Sequence, residues 1–170
     1  NQPADRKTPH INMITEIEKS YLAGLIDGEG CIYVDRYRDR RNKTGNISYV
    51  LRLKISMTCK KTIEWVREII SKEFECGNIY TCKGKEFIFT NRKPMYEIKF
   101  SKNLIKFIGY IYPYMITKKD RAEAVFEWET TRFENNLRNR ASQFLPIPKE
   151  LLDKKEEIYN KFRVLNKTGR

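Results

Sequence analysis

The residues best placed to do chemistry lie in one short run, residues 21–31, which reads Y-L-A-G-L-I-D-G-E-G-C. Two acids, Asp27 and Glu29, alternate there with two glycines, Gly28 and Gly30. Leu22, Ala23, Leu25 and Ile26 give the segment one apolar helix face, and small Ala23 and Gly24 let another backbone come close. Such a face suits two identical helices packed together, so Leu22, Ala23, Gly24 and Ile26 are the expected dimer contact. The helix should break at Gly28 and Gly30, leaving Glu29 just beyond its end and ahead of an apolar strand. A carboxylate at a helix end, beside a symmetric contact, could bring two acids and their metals together. For Asp27, capping or hydrogen bonding at the helix end is the better-supported role.

The elements that must position these groups are also written locally. Thr15 and Glu18 form a T-x-x-E capping box, each side chain satisfying an amide left unpaired at the helix start. Residues 31–38 then alternate, with Ile32 and Val34 on one face and Tyr33, Asp35 and Tyr37 on the other. After a turn cluster at residues 42–46 comes the clearest strand. Leu51, Leu53, Ile55 and Met57 form its apolar face, and Arg52, Lys54, Ser56 and Thr58 its polar face. Such a pair predicts a half-buried antiparallel ribbon. Ile63, Val66, Ile70 and Phe74 recur at helical spacing, and Gly77 is a stop signal. Residues 79–83 and 86–90 predict a hairpin around Gly84, and Tyr96, Ile98 and Phe100 alternate with Glu97 and Lys99 as a further strand. A helix over about residues 103–110 ends before Pro113, another begins near Lys118, and residues 151–165 predict a closing amphipathic helix.

The chain has 170 residues, enough for one domain with a real core. Residues 1–13, polar and carrying Pro3 and Pro9, read as a flexible leader, which leaves 14–170 as a single domain. His10, the only histidine, lies in that leader. With 34 Lys and Arg against 22 Asp and Glu, the net charge of +12 favours a polyanionic partner, because phosphate contacts release counterions. No apolar run approaches the roughly 20 residues that span a bilayer, and no secretory pattern is visible. The expected setting is intracellular, in a prokaryotic cytoplasm or an organelle, with no membrane partner. The cysteines, Cys31, Cys59, Cys76 and Cys82, form no C-x-x-C pair, so a zinc site is poorly supported.

Leu22 to Gly30, L-A-G-L-I-D-G-E-G, closely resembles the signature of the LAGLIDADG homing endonucleases. It departs from the family name only in Gly28 for Ala and Glu29 for Asp. The order of elements is similar to that of the single-motif members. The resemblance implies an α+β fold: an α-β-β-α-β-β-α core with a saddle-shaped antiparallel sheet, and extra C-terminal helices. It also implies site residues. Glu29 occupies the position of the family's metal-binding acid, and the Gly28 carbonyl sits where a backbone ligand is often added. Magnesium is the implied cofactor, with Mn2+ or Ca2+ able to bind in its place, since such ions take oxygen ligands. Lys118 aligns with the family's lysine before the late helix, with Lys119 the neighbouring alternative. Lys60 falls near the other polar active-site position, where Lys61 and Cys59 stay open. Tyr33, Asp35, Tyr37, Arg52, Lys54, Ser56, Thr58, Lys83, Glu97 and Lys99 would face the major groove, where such side chains can read base edges.

The function these features imply is an intron-encoded, site-specific DNA endonuclease using metal-dependent phosphodiester hydrolysis. One signature supplies one acid, whereas a double-strand break needs two active sites, so the chain should pair with itself. Its target should then be long and roughly palindromic. Two alternatives stay open: an RNA maturase bound to its host intron, and a non-cleaving DNA-binding regulator on the same scaffold.

Overall fold

The first helix starts where its capping box predicts. In the computed structural model, which describes residues 13–38, 47–74, 79–82, 93–141 and 148–167, Thr15 Oγ1 accepts the Glu18 N–H at 3.2 Å and the Thr15 N–H donates to Glu18 Oε2 at 2.7 Å. The helix α1 spans Glu16–Glu29. Just before it, Ile14 is buried, and its N–H donates to Glu73 Oε1 at 2.7 Å. Glu29 is thus the last residue of α1 rather than the first beyond it. The chain turns directly into β1 (Gly30–Arg38).

β1 pairs antiparallel with β2 (Ile47–Met57), Gly30 lying opposite Ile55 and Arg38 opposite Ile47. The helix α2 (Lys60–Ser71) follows, then the strands β3 (Ile79–Cys82) and β4 (Met95–Phe100). β4 pairs with β2 on one side and β3 on the other, giving one four-stranded sheet of order β1-β2-β4-β3. The expected hairpin around Gly84 has only its first strand among the described residues; that strand pairs with β4. Its second strand, the turn at 42–46, Gly77, Lys83 and residues 1–12 of the leader, with His10, lie outside them.

Strand alternation divides the sheet into two unlike faces. On one, Ile32, Val34, Leu51, Leu53, Ile55, Ile98 and Phe100 are each no more than 5% exposed. On that face lie α1, α2 and α3 (Leu104–Ile111), which bury Ile63, Val66, Ile70, Phe107 and Ile108. Phe107 sits edge-on to Phe74 at 5.6 Å and to Phe100 at 5.3 Å. Each such buried ring contributes about 1.5–3 kcal/mol by leaving water. The other face carries Tyr33, Arg52, Lys54 and Ser56, all half-buried.

The helices α4 (Lys119–Ala141) and α5 (Lys149–Lys167) are the last described elements. α5 packs against both α4 and β1. A polar seam fixes its end: Arg121, 6% exposed, donates through Nε to Asn166 Oδ1 at 3.1 Å and also to the Leu165 carbonyl. Asn166 Nδ2 in turn donates to the Ile32 carbonyl at 3.0 Å. Among the described residues no helix is long and apolar enough to cross a membrane.

Candidate active site

The turn from α1 into β1 is built on Gly30. Its backbone is extended (φ −76°, ψ 145°), and its N–H still reaches the Ile26 carbonyl. A Cβ there would lie 2.7 Å from Ile26 O and 2.9 Å from Ile26 Cα, and backbone cannot move aside cheaply. Gly30→Ala should therefore destabilise the fold by about 1–3 kcal/mol, as other overpacked substitutions do. A chemical denaturation midpoint equal to that of the wild type would show that the close approach is not required.

Two helix ends meet beside this turn and cap each other. The N–H groups of Ile116 and Thr117 donate to Asp27 Oδ2 at 2.7 and 3.1 Å, and that of Lys118 to Oδ1 at 2.9 Å. These amides lead into α4, so the carboxylate faces the positive end of that helix. In the opposite direction, Lys118 Nζ donates to the carbonyls of Ile26, Asp27 and Gly30 at 2.8, 2.7 and 2.7 Å. The ammonium thus satisfies the open carbonyls at the end of α1. Burial, with the nearby Arg121 charge, pulls its pKa below the usual lysine value, against the opposing pull of Asp27, Cys31 and Glu29. Asp27, with both oxygens engaged, has the capping role expected of it, though for α4 rather than its own helix.

Glu29 is placed differently. Its side chain is exposed at the end of α1, and among the described residues its carboxylate makes no hydrogen bond or ion pair. The Gly28 carbonyl is only weakly engaged: Lys118 Nζ is 3.5 Å away, at the limit of a hydrogen bond. One carboxylate and one carbonyl, both hard oxygen donors, fit a cation that keeps waters and takes further ligands from a bound phosphate. They do not make a closed site within one chain, and among the described residues no cluster of three or more His, Cys, Asp or Glu could hold a metal.

Of the basic candidates, Lys118 is the one held against the end of α1 that carries Glu29. Lys119 instead lies over the Tyr112 ring, 5.2 Å from its centroid. The register brings Cys59 and Lys60 out at the same sheet end as Glu29, since Gly30 opposes Ile55. Lys60 is exposed there and paired with Glu64 Oε1 at 2.8 Å, while Lys61 borders a groove with Ile17, Tyr21 and Trp65. Cys59, at the start of α2, has its thiol pKa lowered by hydrogen bonds from Thr62.

The polar sheet face carries the expected basic residues in a connected array. Tyr33 opposes Arg52, Lys54 opposes Lys99 and Ser56 opposes Glu97. Arg52 Nε lies 2.5 Å from Asp35 Oδ2, an ion pair in which the N–H is not aligned on an acceptor. Tyr37 is exposed near the far end of β1, and Thr58 is exposed just past β2. Glu97 corrects its expectation as a groove reader, because it is only 6% exposed. Lys99 Nζ lies 2.6 Å from its Oε1, while Ser56 Oγ at 2.9 Å and Lys54 Nζ at 3.5 Å address Oε2. Burial alone would raise its pKa, but Lys99, Ser56 and Lys54 hold it below the usual carboxylate value. It anchors the two lysines from beneath.

The expected dimer contact also needs correction. Leu22, Ala23 and Ile26 are fully buried in the chain's own core. Of the four residues only Gly24 is exposed, and a Cβ added there would meet nothing within 4 Å. The open face instead runs Ile17, Tyr21, Gly24 and Gly28, at helical spacing, with Ile17 83% and Tyr21 53% exposed. Tyr21 packs edge-on to Trp65 at 5.0 Å. The signal was present at positions 17, 21, 24 and 28, but the apolar run 22–26 competes with it.

Taken together, the chain is an α+β protein with an open acid at a helix end and Arg52, Lys54 and Lys99 on one sheet face. Residues 22–128, more than half of the chain, match the family model described as LAGLIDADG endonuclease, and the chain belongs to this family. Its activity class is that of an endonuclease. Among solved structures it is similar to the homing endonuclease I-CvuI in complex with the I-CreI target: TM-score 0.62, 17% identity, over 88% of this chain and 82% of that one. It is also similar to the archaeal intron-encoded I-Vdi141I complexed with DNA: TM-score 0.61, 17% identity, over 88% and 84%. The group I intron-encoded I-CeuI, also complexed with DNA, matches with TM-score 0.63 and 13% identity over 88% and 68%. At such identities the likeness is one of fold. No curated protein matches the chain.

Proposed function

We propose that this chain is an intron-encoded endonuclease that acts as a homodimer, each copy contributing one divalent-metal site and one half of a sheet surface for duplex DNA. The observation that carries this reading is the Glu29 carboxylate: exposed, unengaged within the described residues, and set at the end of a helix whose outer face is open. Glu29 and the Gly28 carbonyl would hold the cation, for which magnesium is the proposed ion. When bound, a divalent ion supplies an activated water and neutralises charge on the phosphate and the leaving oxygen.

The chain's own residues do the rest. Lys118, fixed by three carbonyls, presents a positive charge beside Glu29 without a flexible search. Asp27 holds the start of α4, and so Lys118, in register with α1. Arg52, Lys54 and Lys99 present donors to phosphates and base edges, with Asp35 and Glu97 setting where they point. The stripe Ile17, Tyr21, Gly24 and Gly28 lets a second copy of α1 approach closely, which brings two Glu29 carboxylates to one place.

Chelating the metal should stop cleavage and leave DNA affinity within about tenfold, because phosphate contacts dominate binding. Restoring Mg2+ should restore cleavage; cutting that persists in chelator would remove the metal from the reaction. Glu97→Gln should separate holding from reading. Losing a carboxylate beneath Lys54 and Lys99 removes a negative charge and their common anchor. Affinity for non-target DNA should rise a few-fold, while target discrimination drops by about 1 kcal/mol. An unchanged ratio of target to non-target affinity would show that this anchor does not govern readout.

A further inference from the structure

Away from Glu29, at the other end of β2, Tyr49, Leu51, Ile105, Trp128 and Lys155 border a cavity of about 360 Å3. The two regions are separated along the strand, since Val50 opposes Asp35 whereas Ile55 opposes Gly30. The walls mix aromatic and aliphatic side chains with polar groups, the latter at Ser101, Thr131 and a second lysine, Lys102. The Thr131 hydroxyl is already committed to the Trp128 carbonyl at 2.8 Å.

Lys155 is the feature without a structural explanation. It is 8% exposed, on the buried side of α5 with Leu151, Ile158 and Phe162. Among the described residues its ammonium has no carboxylate and no hydrogen-bond acceptor; its one contact is the Trp128 ring, 5.9 Å to the centroid. Lys155 is one of the residues that line the cavity. Burial alone pulls its pKa down, with nothing opposing. A buried ammonium without an anion is costly, and folding gains nothing from it that a methionine would not supply.

We propose that this cavity is a binding site for a small organic anion, whose acid head pairs with the Lys155 ammonium while a planar apolar body lies against Trp128, Leu51 and Ile105. A volume of about 360 Å3 suits a molecule of one or two rings. The site is independent of the DNA-cleaving reading, since no residue in it is assigned to metal or DNA.

Trp128 reports on the cavity directly, and Trp65→Phe removes the other tryptophan. In that background, full-length protein titrated with benzoate should show a saturable change in Trp128 fluorescence. Benzamide, its neutral counterpart, should bind at least tenfold more weakly. Lys155→Met should weaken benzoate at least tenfold and leave benzamide unchanged, while keeping the unfolding midpoint at or above its starting value. The comparison of benzoate with benzamide needs no change at Lys155, so it stands even if that variant folds badly. Absence of saturable benzoate binding, equal affinity for the two probes, or undiminished benzoate binding by a folded Lys155→Met chain would each overturn the proposal.

Discussion

Glu29→Gln should lower DNA cleavage by roughly three orders of magnitude or more, with DNA affinity kept within about tenfold. The amide keeps the shape of the side chain and removes its charge, so it ligates a hard divalent ion poorly. Glu29 is exposed and carries no hydrogen bond or ion pair within the described residues, so folding should be untouched. Loss of activity with an unchanged denaturation midpoint is therefore the expected pair of results. A variant that cuts near the normal rate would remove Glu29 from the reaction and with it the proposed metal position.

Gly24→Leu should convert the protein into folded monomers and reduce double-strand cutting by about a hundredfold or more. A Cβ added at Gly24 meets nothing within 4 Å beyond its own stretch of helix, so the new side chain starts into open space. What it obstructs is the close approach of a second α1 along Ile17, Tyr21 and Gly28. Separating two glycine-backed helices by a leucine side chain removes most of their contact. In sedimentation the mass should halve, while the helix signal in circular dichroism stays. A Gly24→Leu chain that remains dimeric and cuts both strands would place the interface elsewhere.

The contrast between Gly24 and Leu22 shows how far α1 could be read in advance. Its start was legible, because a capping box is a contact between residues three apart. Its orientation was not. Leu22, Ala23 and Ile26 compete with Ile17, Tyr21 and Gly24 for the core, and only the sheet beneath decides between two faces of similar greasiness. The strands β1 and β2 were easier, since a period of two leaves one apolar face and burying it has no alternative. Side chains that act through distant partners were read least well. Lys118 and Lys119 are equivalent neighbours in the chain, and only the meeting of α1 with α4 gives the carbonyls to one of them. Glu97 falls on the polar face by alternation, yet Lys54, arriving from β2, and Lys99 close over it. Lys155 lies four residues after Leu151 and three before Ile158, so its buried side was predictable from helical spacing. It was hidden by the lysine beside it.

Two copies of this chain, each with a Glu29-held metal, should cut both strands of one specific site. This is tested most directly by selecting cleaved molecules from a randomised duplex library with the wild-type chain, Glu29→Gln run in parallel. Mg2+ should release ends mapping to one long, roughly two-fold symmetric site, cut on both strands by the wild type alone. Cutting without divalent metal, cutting by Glu29→Gln at the same site, or no enrichment of any site would contradict it.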